Sequence, residues 1–182
     1  ITWWLGLSEL GFSELPKFSA KARAAISRWL ADFSEADAER IKAIEATTNH
    51  DVKAVEYWLK EKAAAQADLP ELAKATEFIH FACTSEDINN TSHALMLRDA
   101  RGACLMPAMQ ALIDRLAALI QESAGIPMLS RTHGQTASPT TLGKELANVR
   151  QRLRLARDAF SLIKPRAKMN GAVGNYNAHI AA

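Results

Sequence analysis

Leu129-Ser130-Arg131-Thr132-His133-Gly134-Gln135-Thr136-Ala137-Ser138-Pro139-Thr140-Thr141 interrupts two stretches of regular helical pattern. Before it, Leu105, Met109, Leu112, Leu116 and Leu119 recur at alternating spacings of 4 and 3. After it, Leu142, Leu146, Val149, Leu153, Ala156, Phe160 and Ile163 repeat the same alternation. That alternation is a heptad seam, so each flank reads as a long helix packed into a bundle. Thirteen residues without a seam exceed what two helices need to turn around. They carry a histidine, an arginine and small polar groups, so the joint reads as chemistry presented by a rigid frame.

Composition agrees with an all-α class. The 182 residues are 48% hydrophobic and 23% charged, with only 8 glycines and 6 prolines, and they can bury a real core. A net charge of +2 says little about partners. Cys83 and Cys104 lie far apart with no CxxC or Cys/His ligand spacing, which argues against a structural metal or a disulfide framework and fits a reduced cytoplasmic protein. No apolar run approaches the length of a membrane span. The opening Ile1-Thr2-Trp3-Trp4-Leu5-Gly6-Leu7 is apolar but lacks the basic lead and cleavage site of a signal peptide. A start at Ile1 and a stop at Ala182 read as an internal segment of a longer protein.

Local signals divide the chain further. Ser34 with Asp37 forms a capping-box pattern opening a helix that runs to the break Thr47-Thr48-Asn49-His50. Asp51 can cap the next helix, whose Val52, Val55 and Leu59 share a face. Asp68-Leu69-Pro70-Glu71 stops one helix and starts another, expected to end near Phe81. Thr84 with Asp87 is a second capping box, and Pro107 should kink or divide the helix that follows. The last helix, from about Thr140 to Ile163, would be about 36 Å long at 1.5 Å per residue. Pro165 ends it, and the glycines of Asn170-Gly171-Ala172-Val173-Gly174-Asn175 permit backbone geometry that side chains forbid. A domain boundary is expected near residue 75, with 1–75 part of a small N-terminal helical domain and 76–182 part of a central long-helix bundle.

Three polar breaks each end where a helix begins: Asn49-His50-Asp51, Thr84-Ser85-Glu86-Asp87, and the joint around His133. Helix starts offer unpaired N–H groups that suit phosphate or carboxylate ligands, and hydroxyls such as Thr84, Ser85, Thr140 and Thr141 add donors. Plain capping explains each break equally well, and Glu86 and Asp87 weaken a simple anion site. The run Ile88-Asn89-Asn90-Thr91-Ser92-His93 puts poor helix formers in one turn, which implies a packed polar site if buried and a solvated turn if not. Among the five histidines, His93 and His179 lack a distinctive setting, His80 has the place of a C-cap, and His50 has Asp51 to orient it. His133, in the longest break, is the candidate proton donor. Arg150, Arg152, Arg154, Arg157, Lys164, Arg166 and Lys168 form a basic cluster, but no aromatic residues interleave for base stacking, so nucleic-acid binding is not expected.

At these segments the chain resembles the adenylosuccinate lyase family, bacterial type, of the fumarase/aspartase superfamily. The similarity lies in Thr47-Thr48-Asn49-His50-Asp51-Val52-Lys53-Ala54-Val55-Glu56-Tyr57, in Glu77 to Asn90 around Thr84-Ser85-Glu86-Asp87, in Leu129 to Gln135, and in Asn170 to His179. It runs in order from about Phe33 to the end, and residues 1–32 match only loosely. The resemblance implies an all-α long-helix bundle, a homotetramer with active sites shared between subunits, and a reaction without cofactor or metal. That reaction is β-elimination of fumarate from adenylosuccinate, giving AMP, and from SAICAR, giving AICAR. By resemblance, His133 is the general acid, and Asn49, His50, Asp51, Thr84 and Ser85 contact substrate, while Thr132 and His80 line the pocket. The family's general base is a serine on a glycine-rich loop before a Met-Pro-x-Lys-x-Asn motif. Neither that stretch nor the family's N-terminal Arg-Tyr pair occurs in these residues, so they are expected to be inactive alone. Argininosuccinate lyase and fumarase are the nearest rival readings, and a non-catalytic helical oligomerisation module is the rival of another class.

Overall fold

The computed structural model describes residues 1–181, and its contacts divide them into two compact units. One comprises Ile1–Thr91 with the chain from Lys168 onward; the other is Ser92–Ala167.

The first unit is built on short helices around aromatic residues. Helices α1 (Thr2–Ser8), α2 (Ala20–Ala31), α3 (Glu35–Thr48), α4 (Asp51–Ala64) and α5 (Pro70–Lys74) precede a 3-10 turn over Thr76–His80 and the start of α6 (Ser85–Ala100). Trp4, Leu7, Leu15, Phe18, Ile26 and Leu72 form the buried centre. Trp4 packs edge-on against Phe18 with ring centroids 5.1 Å apart, and its Nε1–H donates to the Ala75 carbonyl (3.0 Å). Residues 1–32 thus supply much of this unit's core.

Several local expectations hold. Ser34 and Asp37 make both halves of a capping box. Asn49 ends α3 in the left-handed conformation (φ 53°), which asparagine tolerates better than most residues. Others are corrected. His50, not Asp51, caps α4: its Nδ1 accepts the Lys53 N–H (3.3 Å), while Asp51 bonds its neighbour Val52. The helix expected to reach Phe81 ends at Lys74. The Ala75 carbonyl takes the Phe78 N–H in a 3-10 bond together with the Trp4 indole, so the chain tightens there.

In the second unit α6 runs through a π-helical turn, Arg101–Leu105, into α7 (Met106–Glu122). The wide turn lies just ahead of Pro107, whose ring and missing N–H disturb the bonds to the preceding turn of an otherwise continuous helix. The polar joint is a β-hairpin, an exception to the all-α expectation: β1 (Pro127–Thr132) pairs antiparallel with β2 (Gln135–Thr141), with a bulge between Leu129 and Arg131. Thr141 then caps α8 (Leu142–Leu162) through the Lys144 N–H. Helices α7 and α8 return antiparallel, with Arg150 Nε donating to the Ile113 carbonyl (3.2 Å) and Arg157 bonding Gln110. They meet closely at Gly143: a Cβ there would lie 2.7 Å from Ala124 Cα and 2.7 Å from the Ile120 carbonyl oxygen.

The heptad seams are only partly used inside this chain. Ile113, off the predicted seam, is the buried residue of α7, whereas seam positions Leu105, Leu112 and Val149 are exposed, as is Leu155 beside the seam. One neighbouring helix can cover one face, and a residue on the other needs a further partner. The continuous helical path Ser85–Glu122 contains a window of mean hydropathy 1.5, 6% of it buried, which passes by length and composition for a membrane span. That corrects the expectation of no such run. The window mixes polar side chains such as Gln110 and Asp114, bonded to each other at 2.7 Å, with the apolar ones.

Candidate functional site

Within the first unit two of the polar breaks converge. His50 sits in extended conformation at the start of α4, and its Nε2 lies 3.4 Å from Ser85 Oγ, 35 residues further along. Nδ1 is engaged by the Lys53 N–H and lies 3.3 Å from Asp51 Oδ1. Asn49 and Asp51 flank this imidazole along the chain, and Thr84 precedes Ser85 at the start of α6. The His50 and Asp51 side chains are about half exposed or more, 47% and 64%, so this edge is open to a ligand. The Val52 N–H holds the Asp51 carboxyl below its usual range, so it is ionised near neutral pH. An open imidazole and the two hydroxyls at the start of α6 together can receive an oxyanion.

Behind this edge the groups are buried and paired. Asp87 is fully buried. Burial opposes its ionisation, but the Lys168 ammonium (2.8 Å) and the N–H groups of Thr84, Asn170 and Gly171 outweigh it and hold the carboxyl below its ordinary value. The sequence presents Asp87 only as a capping partner and Lys168 only as one of a basic cluster. Their pairing spans 81 residues, and no local spacing announces it. The turn Ile88–His93 thus contains a packed polar site: Asn90 bonds Lys168 through both backbone groups, and Thr91 bonds the Asp87 carbonyl.

Sequence reasoning misses Glu56, although Lys53 and Lys60 stand at its helical neighbours. Its side chain is 7% exposed and also meets His80 Nδ1 at 2.8 Å, so His80 is part of a charged cluster rather than a simple C-cap. Burial works against the Glu56 carboxylate, and the two lysines and His80 together still lower its pKa. A cavity of about 70 Å³ lies beside this cluster between Val52, Val55, Cys83 and Ile88. Burial, reinforced by Asp87 and Glu56, pushes the Cys83 thiol up to about 11, so it stays protonated and is no nucleophile.

His133 belongs to the second unit, at the tip of the hairpin. His133 (φ 51°) and Gly134 (φ 76°) are both left-handed between the closing pair Thr132 and Gln135, which makes a two-residue type I′ turn. The imidazole is exposed there. Thr132 is exposed beside it. The His-Gly dipeptide between two polar strands is the sequence signal for this hairpin. Among the described residues no group of three or more His, Cys, Asp or Glu side chains is placed to hold a metal ion.

Comparison with known proteins gives the lineage. The chain is 58% identical over 170 residues to adenylosuccinate lyase of Vibrio cholerae and 56% identical over 175 residues to that of Haemophilus influenzae. These alignments cover 93% and 96% of this chain but 37% and 38% of the relatives, so the chain spans less than two fifths of their length. The fold is similar to that of a fumarate lyase from Mesorhizobium sp. BNC1, with a TM-score of 0.73 at 22% identity, over 97% of this chain and 38% of that one. A family model described as lyase matches residues 6–182. With that match, and a scaffold that among the described residues is helical apart from one hairpin, the chain belongs to the lyase family of the fumarase/aspartase superfamily.

Proposed function

We propose that the protein is a fumarate-releasing carbon–nitrogen lyase acting on adenylosuccinate and on SAICAR, in the cytoplasm and without a cofactor. The observation that carries this reading is the 58% identity to an adenylosuccinate lyase over 93% of the chain. The chemistry requires an acid and a base. A base removes a proton from the carbon next to the one bearing nitrogen, the electrons form the double bond of fumarate, and the C–N bond breaks. Its electron pair goes to the departing nitrogen, which leaves poorly as an anion. His133 supplies the proton in this reading, and the base lies outside residues 1–182. Asn49, His50, Asp51, Thr84 and Ser85 contact the substrate. The juxtaposition of His50 and Ser85 supports their acting together.

The remaining parts of the reading concern the complete subunit. Residues 1–75 belong to a small N-terminal domain and 76–182 to the central bundle. Subunits assemble as a homotetramer that shares active sites, with neither nucleic acid nor membrane as partner. The exposed apolar positions Leu105, Leu112 and Val149 support a bundle completed by further helices.

His133→Gln in the full-length enzyme tests the assignment. Adenylosuccinate cleavage, followed by ultraviolet absorbance, should fall by about a hundredfold or more in kcat, the range of a lost general acid. The oligomer should persist on size exclusion. Undiminished turnover would refute His133 as the acid, and a full-length protein that releases no fumarate from either substrate would refute the lyase reading itself.

A further inference from the structure

The start of α6 is capped in an unusual way. In a reciprocal capping box, the hydroxyl of the capping residue accepts the N–H three residues on. Here the Asp87 N–H bonds the Thr84 carbonyl oxygen (3.1 Å) instead, while Asp87 Oδ2 accepts the Thr84 N–H (2.9 Å). The Asp87 N–H is therefore satisfied by the Thr84 carbonyl and not by the Thr84 hydroxyl, which leaves that hydroxyl for another partner.

A fully buried carboxylate can hold that position only if every lone pair has a partner. Lys168 Nζ (2.8 Å) and the Asn170 N–H (3.1 Å) occupy Oδ1, and the Gly171 N–H (3.2 Å) joins Thr84 on Oδ2. Lys168 is itself tied down, by the Gly171 carbonyl (2.9 Å) at its ammonium and by Asn90 at its backbone. Gly171 reaches Asp87 with φ +81°, a conformation that disfavours a side chain. Apart from Thr84, each donor comes from the segment 168–171, so the carboxylate is fixed by a part of the chain remote in sequence from the helix that it caps.

We propose that Asp87 is a positioning residue: clamped by Lys168 and the 170–171 backbone, it takes over the capping of α6 and so presents the Thr84 hydroxyl to an oxyanion of the substrate. This rests on the reading of Thr84 as a substrate contact. Asp87 touches no substrate and acts through Thr84 alone. Losing it should therefore weaken substrate binding and leave the chemical step nearly intact.

The test is a double-mutant cycle in the full-length enzyme with Asp87→Asn, Lys168→Met and Thr84→Ala. Asp87→Asn should raise KM for adenylosuccinate about tenfold, as expected for a misplaced bond to a charged group, with little change in kcat. In the Thr84→Ala background it should add almost nothing, because both substitutions remove one contact. A merely structural role would add fully in that background, and that result overturns the proposal. If Asp87→Asn does not fold, Lys168→Met, which leaves the carboxylate its backbone donors, carries the same test and the same expectation. Thr84→Ala raising KM while neither partner variant does overturns the positioning role and leaves the lyase reading intact. Thr84→Ala without effect on KM removes Thr84 as a contact, and both statements fall. Product inhibition separates the oxyanions: a weaker effect of fumarate assigns a carboxylate to Thr84, and a weaker effect of AMP assigns a phosphate.

Discussion

Replacing Gly143 by alanine should damage both stability and turnover, although alanine is the better helix former. Gly143 lies in the first turn of α8, and its N–H donates to the Ser123 carbonyl (3.0 Å) while the Leu142 N–H donates to that of Ile126 (3.0 Å). These bonds seat the base of the hairpin that carries His133. An added Cβ would stand 2.7 Å from Ala124 Cα, 2.7 Å from the Ile120 oxygen and 2.9 Å from the Ala124 nitrogen. All three are backbone atoms at the end of α7 and just beyond it, so no rotamer change relieves the clash. Ordinary contact begins at 3.4 Å, so the two helices must part by about 0.7 Å. Overpacking of this kind costs about 1–3 kcal/mol, against a gain of up to ~1 kcal/mol from removing a helical glycine. With the full gain set against it the balance is a loss of up to about 2 kcal/mol, and a shift of this size at the foot of the hairpin should lower kcat about tenfold, since ~1 Å of misplacement can cost more than that. Gly102 is the matched control: it is helical, and a Cβ added there would meet nothing within 4 Å. Urea unfolding and steady-state fumarate release from full-length Gly143→Ala and Gly102→Ala provide the measurement. Parental stability and turnover in Gly143→Ala would refute the close approach and its link to the site.

Trp4→Phe removes the indole bond to the Ala75 carbonyl and part of the side chain that fills the first unit, so urea unfolding should report a loss of about 2 kcal/mol. Parental stability would show that neither matters. Asp37 is held down to about 2 by the Lys62 ammonium and by Ser34. Its folded pKa lies below the ordinary value, so its contribution is present above about pH 4 and is lost as pH falls toward 2. Asp37→Asn should therefore flatten the fall in stability between about pH 4 and pH 2, read by urea midpoints across that range, and an unchanged slope would count against the Lys62–Asp37 pair.

Much of the helical scaffold was legible because its signals are local. The Ser34–Asp37 box, the break at Asn49, the Pro70 start and the apolar spacing of α7 and α8 each report contacts within a few residues, which the sequence displays directly. The site residues His50, Thr84, Ser85 and His133 drew attention for the same reason, as polar groups breaking helical patterns. The roles proposed for them rest on resemblance, since capping accounts for such residues equally well. The hairpin was less legible: a Pro in β2 and polar residues on both faces hide a period of two, leaving only the His-Gly turn to mark it.

By itself, then, the amino-acid order determined where helices begin and end and which polar groups stand at their starts, because hydrogen bonding along a helix depends on near neighbours. Only the tertiary structure decided that Lys168 meets Asp87, that Glu56 gathers His80 with two lysines, that Ile113, off the leucine seam, is the residue of α7 that becomes buried, and that Gly143 must lack a side chain. Those outcomes depend on where the chain returns after tens of residues. The pairing of buried charges and the fit of backbones are set by that return, and nothing in a local pattern encodes it.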